Sequence, residues 1–327
     1  MLTEAKTPKV SVVIPLHNCK RYVCQAVESV LRQSYTNYEI IVVDDGSTDN
    51  SHQVLLPYME QIKYLYQENQ GVSAARNQGI EIASGEFVAF LDHDDFFLPN
   101  KLELQVACFE NKPELGIVHS GWRRVDPQGE PLADVHPWYQ APNLDLEDWV
   151  RWKPILPSAM MFRREWLKKA GGFDIRFQQA GDIDLAIRLT LMGSQFAWVS
   201  QILVCYREHD ANESLNTLVQ VEEAWDVLDK FFVSSEVPER IKEHEKEYRY
   251  YTLVWSAWRL YYSGYISEMV LKLQKSLRYT PYSIGKTIFN WIESFVRYAE
   301  ESGFELNIDE LSNSEEWQQL MSIIVNC

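Results

Sequence analysis

An apolar run, Phe87 to Leu91, ends abruptly in Asp92, His93, Asp94 and Asp95. Three carboxylates within four residues repel one another, and at the end of a buried strand they cost stability unless a cation sits among them. In an extended segment the D-x-D spacing puts Asp92 and Asp94 on one side. Asp95 then falls on the other, free for a structural task near the helix after Pro99. A solvated acidic loop is the plainer alternative, because so short a pattern is common. A second acidic pair, Asp44 and Asp45, precedes Gly46 and Ser47 in a tight turn. A carboxylate there can accept hydrogen bonds from a base or a ribose; the alternative is a solvated turn capped by Ser47 or Thr48. A third pair, Asp182 and Asp184, opens an amphipathic helix with Leu185, Ile187 and Leu189, where Asp184 would offset the helix dipole.

The elements that must position these groups alternate along the first half of the chain. Val10–Pro15, Glu39–Val43, Ile62–Tyr66, Phe87–Leu91 and Leu115–Ser120 read as strands, the first a β-branched run suited to burial on both faces. Tyr22–Gln33, Asn50–Tyr58, Val72–Ala83 and Lys101–Glu110 lie between them with helical spacing. Strand and helix repeated four times predict an α/β fold, a mostly parallel sheet flanked by helices on both faces. Ligands of such sheets bind beyond the carboxyl ends of the strands. Here those ends carry "PLHN", "DDGSTD" and "DHDD", so polar groups collect along one rim.

Residues 121–158 are irregular and rich in Pro and Trp, and read as a loop-built wall. Trp138, Trp149 and Trp152 are candidates there for a face that stacks on a ligand, with burial in the core as the plainer alternative. From about Leu215 the pattern becomes wholly helical. "AWRLYYSGYISEMVLKLQKSLRYTP" is similar to a single helix-turn-helix repeat of the tetratricopeptide kind. Between Arg249 and Arg297 seven Lys or Arg face two Asp or Glu, among Trp255, Trp258, Tyr261, Tyr262, Trp291 and Tyr298. Basic residues paired with Trp suit a membrane surface, and a helical core with a solvated basic face is the alternative.

The 327 residues are 46% hydrophobic and 24% charged, as in a folded globular protein. A net charge of −16 argues against nucleic acid as a partner. The N-terminus runs from a polar tail into a strand pattern without a signal-peptide character, and no apolar run approaches the ~20 residues that span a bilayer. Five cysteines without a C-x-x-C pair read as reduced thiols of a cytoplasmic protein, with contact at the inner face of the membrane as the extension suggested by the basic helical segment.

Four stretches together resemble the inverting, family-two glycosyltransferases of GT-A fold: "VSVVIPLHN", "VVDDGSTDNS", "NQGVSAARNQGIEIASGEFVAFLDHDD" and "GDIDLAIRL". Their order and spacing over roughly residues 8–215 are far more specific than any one motif. The resemblance implies a nucleotide-diphospho-sugar donor, commonly UDP-linked, a divalent cation (Mn2+ or Mg2+), inversion at the anomeric carbon and a saccharide or lipid-linked acceptor. It implies residues 1–214 as the donor-binding and catalytic domain and 215–327 as a helical extension. It assigns the base and ribose contacts to Asp45, Asp44 and Asp92. Pro15 and His17 end the first strand where the family has an aromatic residue before the Asn, and His17 would stack on the base. Arg76 would meet the acidic groups of the nucleotide, with an ion pair to Asp44 or Asp92 as the alternative. The metal falls to Asp94, with help from Asp92 and from His209 of a Y-R-x-H pattern. Arg207 would engage the diphosphate. Asp182 is the implied catalytic base. Gly181 departs from the family's Glu before it, which leaves a nucleotide-sugar-binding protein without transferase activity as the rival function. A sugar-nucleotide pyrophosphorylase would need a glycine-rich phosphate loop that "PLHNCKRY" lacks.

Overall fold

The computed structural model describes residues 9–151, 155–301 and 305–325. The chain divides into two compact units, Met1–Asn212 and Glu213–Cys327.

One sheet of nine strands organises the first unit. They are β1 (Val10–Leu16), β2 (Tyr38–Asp45), β3 (Ile62–Gln67), β4 (Phe87–Phe90), β5 (Phe96–Phe97), β6 (Leu115–Val125), β7 (Pro131–Val135), β8 (Met160–Arg163) and β9 (Gln195–Arg207). Their order is β3-β2-β1-β4-β8-β6-β9-β5, with β7 on the free side of β6. β1 is buried along its whole length and pairs in parallel with β2 and β4, while β2 pairs in parallel with β3. The crossovers are α1 (Val23–Leu31), α2 (Ser51–Leu55), α3 (Val72–Ile82) and α4 (Lys101–Phe109). Alternation sends Val10, Val12 and Ile14 to one face, where Val23, Val27, Leu102 and Val106 cover them. Val13 points to the other face, against α3. Contact there is so close that a Cβ on Gly79 would lie 2.2 Å from Val13 Cγ1.

β6 and β9 also pair in parallel, but the unbroken run of parallel strands that begins at β3 ends at β4. Beyond it β8 lies antiparallel between β4 and β6. The reason is connectivity: the chain comes back to the sheet from the rim and runs downward beside β4, which needs no crossover helix. The region read as irregular begins as a hairpin instead, since β6 continues to Val125 and turns back as β7 with Trp122 opposite Val135. Three further helices complete the unit: α5 (Leu146–Arg151), α6 (Arg164–Lys169) and α7 (Gly181–Leu191).

The second unit comprises α8 (Thr217–Val233), α9 (Glu239–Lys242), α10 (Glu245–Tyr262), α11 (Ile266–Ser276), α12 (Ile284–Glu301), α13 (Ile308–Asn313) and α14 (Glu315–Val325). α10 and α11 form a hairpin around Gly264, whose φ of +81° suits a residue without a side chain. Its core is aromatic. Trp258, Trp291, Tyr250 and Trp317 are buried with Val254, Met269, Leu273 and Phe295. Trp258 and Trp291, expected at a membrane surface, are thus core residues. Arg249 is buried as well, paired with Asp229 at 3.0 Å and Glu245 at 2.7 Å. Among the described residues no helix is long and apolar enough to cross a membrane.

Candidate active site

The "DDGST" and "PLHN" loops are tied together at the ends of β1 and β2. Asn18, in the left-handed region at φ 49°, accepts from Thr48 N at 2.7 Å, and Asn18 N donates to Ser47 Oγ at 2.9 Å. Gly46 at φ +77° has no room for a Cβ, which would come 2.8 Å from Asn69 N. Both carboxylates are buried. Asp44 accepts from Ser47 N at 2.8 Å and from the Tyr64 hydroxyl, whose own pKa rises through burial and the bond to Asp44. Asp45 accepts from Gln67 Nε2 at 2.7 Å, Gln70 N at 2.9 Å and Gly71 N at 2.8 Å. A carboxylate offers about four acceptor positions, so Asp45 retains one for a ligand. His17 donates through Nδ1 to the Asp45 carbonyl at 2.8 Å, and Pro15 offers its carbonyl to His93 Nδ1 at 3.0 Å.

Asp92 to Asp95 form a turn closed by Asp95 N donating to Asp92 O at 3.1 Å. The extended geometry expected for D-x-D is therefore replaced, and the turn sends the three carboxylates to three partners. Asp92 takes Arg76 Nη2 at 2.7 Å, the ion-pair alternative for that arginine. Asp94 meets His209 Nε2 at 3.1 Å. Asp95 is buried, accepting from Ser158 Oγ at 2.6 Å and Arg207 N at 3.0 Å. Mutual repulsion is relieved in three ways. Burial raises the Asp94 carboxyl, but the His209 hydrogen bond and the nearby His93 charge outweigh it and hold the pKa below the usual range. Burial, followed by the charges of Asp94 and Asp92, pushes Asp95 well above that range, toward the neutral acid. Burial lowers His93, but Cys19 and Asp94 raise it further, to about 10, which favours the charged ring beside the acidic turn. Sequence reasoning missed His93, although its position between two aspartates was a signal.

Arg207 is almost completely buried. Its Nε donates to Asp94 O at 2.9 Å, Nη1 to Pro127 O at 3.0 Å and Nη2 to Gln25 Oε1 at 2.6 Å, and its plane lies over Tyr22 at 4.5 Å. In place of the expected diphosphate contact, these donors hold the Asp94–Asp95 turn to the turn after β6 and to α1. Tyr22 also stacks on His209, with ring centroids 5.2 Å apart.

Asp182 sits at the start of α7, partly exposed, with Ile183 N donating to its Oδ1 at 2.7 Å. Burial pushes its carboxyl up to about 6, against the opposing charge of Arg76 and with a further rise from Asp92. The base candidate therefore belongs to the same electrostatic group as the D-x-D turn. A Cβ on Gly181 would press within 2.8 Å of Ser73 Oγ, which donates to Phe177 O at 2.9 Å. A side chain where the family has Glu would require Ser73 Oγ to turn away from Phe177 O. Asp184 is buried and accepts from Arg188 Nε at 2.7 Å, while Arg188 donates onward to Ala170 O and Gly172 O. Asp184→Asn should therefore lower stability by about 2 kcal/mol, the scale of a charge-assisted buried hydrogen bond, and leave turnover within a few-fold. Parallel thermal melts and rate measurements check this.

Trp149 is fully buried against Phe196, with ring centroids 5.2 Å apart, and so belongs to the core rather than to a stacking face. Trp152 lies outside the described residues. Trp138 is half-buried beside Tyr139, which is 78% exposed.

No group of three His, Cys, Asp or Glu able to hold a metal occurs among the described residues. The Asp94–His209 pair still fits a divalent cation of the kind that takes one or two protein ligands and completes its shell with substrate phosphates. His209 Nδ1 accepts from Ala211 N at 3.2 Å, so ligation through Nε2 would require the ring proton to leave that nitrogen.

A sheet flanked by helices, with acidic turns at the ends of β2 and β4 and Asp182 at the start of α7, has the architecture of the GT-A fold. The family profile described as Glycosyl transferase family 2 matches residues 11–171. An uncharacterized glycosyltransferase of Rickettsia typhi is 34% identical over 238 residues, covering 69% of this chain and 73% of that protein. Chondroitin synthase of Escherichia coli is 29% identical over 240 residues, 70% of this chain and 33% of the synthase. Among solved structures, S. aureus TarS in complex with UDP-GlcNAc aligns with a TM-score of 0.63 at 19% identity, covering 84% of this chain and 82% of that one. The mannosyltransferase PcManGT from Pyrobaculum calidifontis, in complex with GDP-Man and Mn2+, aligns with a TM-score of 0.62 at 16% identity, covering 98% and 85%. The chain belongs to glycosyltransferase family 2.

Proposed function

We propose that this glycosyltransferase moves a sugar from a UDP-linked donor to an acceptor hydroxyl with inversion, in the synthesis of a cell-surface polysaccharide or glycolipid. One observation carries the reading. Asp45, the Asp92–Asp94 turn and His209 lie at the ends of β2, β4 and β9, with Asp94 on His209 at 3.1 Å, and Asp182 at the start of α7 feels the charges of Arg76 and Asp92. Asp45 and Asp44 shape the base and ribose pocket under His17. Asp182 takes the proton of the acceptor hydroxyl as that oxygen attacks the anomeric carbon from behind. The bond from that carbon to the diphosphate oxygen breaks, and the nucleoside diphosphate leaves with the electron pair. Asp94 and His209, with Asp92 beside them, would hold a Mn2+ or Mg2+ ion that neutralises diphosphate charge. Arg76 stays between Asp92 and Asp182, keeping two carboxylates compatible at close range. Residues 1–214 form the catalytic domain in this reading, and the helices of 215–327 give peripheral contact with the inner face of the membrane, where a lipid-linked acceptor would be met. Similarity to chondroitin synthase supports a polysaccharide or glycolipid product.

The rival, a binding protein without transfer, rests on Gly181, where the family has Glu. A thermal-shift panel of UDP- and GDP-sugars, with and without manganese, tests the donor assignment. A true donor at 100 times its Kd should add about 2.7 kcal/mol of stability. UDP-sugars should stabilise in the presence of manganese; stabilisation by GDP-sugars alone would overturn the uracil assignment. Donor hydrolysis separates enzyme from sensor.

A further inference from the structure

Met269 to Ile292 contains four cations and no carboxylate, in a chain of net charge −16. Two of the four are occupied inside the second unit: Lys272 donates to Glu222 Oε1 at 2.7 Å, and the Lys275 ammonium lies 3.6 Å from the Trp225 ring centre. The other two, Arg278 and Lys286, are exposed and have no ion-pair partner among the described residues. They flank the corner between α11 and α12. At that corner three apolar side chains stand in water: Tyr282 is 36% exposed, Ile284 51% and Phe289 66%. α12 buries Trp291, Ser294 and Phe295, so Phe289 and Lys286 share its opposite, outward face. Farther along that face Glu293 and Glu300 are exposed with Arg297 between them, so beyond the corner the charges are mixed.

We propose that this corner docks on an anionic lipid surface. The inference rests on the reading that the acceptor is met at a membrane, and it narrows the contact from the whole helical extension to one site. Phe289 and Ile284 would enter the boundary between headgroups and acyl chains, Tyr282 would sit at headgroup level, and Arg278 and Lys286 would face lipid phosphates. Charge chooses the partner. An acid-free basic patch is drawn to an anionic leaflet, and exposed apolar tips between the cations give no advantage toward a purely polar polyanion.

The test is flotation of the full chain with phosphatidylcholine vesicles, with and without phosphatidylglycerol. The wild type should float only with the anionic vesicles and detach in part, not wholly, as salt rises. R278Q/K286Q should weaken binding about 30-fold, the loss expected for two cations at an anionic surface. I284S/F289S should lose the part of binding that survives high salt. Donor hydrolysis in solution should be unchanged in both variants. Equal binding to neutral vesicles, no flotation, or variants that bind like the wild type overturns the proposal. So does a wild-type dimer that I284S/F289S makes monomeric, because the face would then meet a second copy. Flotation without any donor hydrolysis would sink the transferase reading and leave this surface standing.

Discussion

Asp182→Asn should cut turnover by about 10²–10⁴-fold, the usual worth of general-base assistance, while donor affinity stays near the wild-type value. The amide keeps the shape of the carboxyl but takes no proton. The wild type should show the base directly in its pH profile: with a pKa of about 6, activity falls tenfold per unit below that pH and is flat above it. The same shift has a stability consequence of opposite sign. A carboxyl whose folded pKa is raised from 3.8 to about 6 binds its proton more tightly folded than unfolded, so stability declines as pH rises through that window and stays lower above it. Asn mimics the neutral acid and removes this penalty, on the order of 3 kcal/mol. The variant should thus be slower and more stable at neutral pH, with the two melting curves converging at low pH. A variant as fast as the wild type would place the base elsewhere.

Asp94→Asn should lose about 10²-fold or more in turnover, together with the manganese-dependent part of donor affinity, and should fold normally. Asp95→Asn is the informative companion. The Asp95 acid is pushed toward its neutral form, and an amide can still accept from Arg207 N and bond Ser158 Oγ. Its activity should stay within about tenfold of wild type, typical of a tolerated isosteric change. Titrating manganese into both variants and measuring donor transfer decides the matter. Equal losses would show that the two carboxylates are misassigned.

The donor half was legible because each signal there is local. β1 to β4 are short apolar runs with polar ends, and those ends mark the rim whatever the rest of the chain does. β8 was not legible: four residues that follow a Pro-rich stretch carry no period, and their place between β4 and β6 is decided by pairing at long range. The acidic cluster shows the same division. Its composition was plain, but spacing alone could not tell a turn from an extended segment, and the turn is what separates Asp92 from Asp94 and Asp95. Arg207 sits within a pattern that matched a ligand contact. Its carbonyl partners at Asp94 and Pro127 are backbone groups, which no side-chain pattern reveals. In the second unit, composition suggested an interface, yet most of the aromatic side chains pack inward because small helices need large residues to fill the space between them.

The mooring of the segment between β7 and β8 bears on how the enzyme can diversify. Val135 pairs with Trp122 and Met160 pairs with His119, so residues 136–156 leave and rejoin neighbouring positions of one strand. Closing a loop between fixed, adjacent anchors becomes costlier only slowly with length, about 0.6 kcal/mol per doubling. Trp149, Ala141 and Leu144 of this stretch are buried, so only its exposed turn around Tyr139 can change length without disturbing the packing. That makes the turn around Tyr139 an overhang, a place where relatives can differ in length while β1 to β4 are inherited intact.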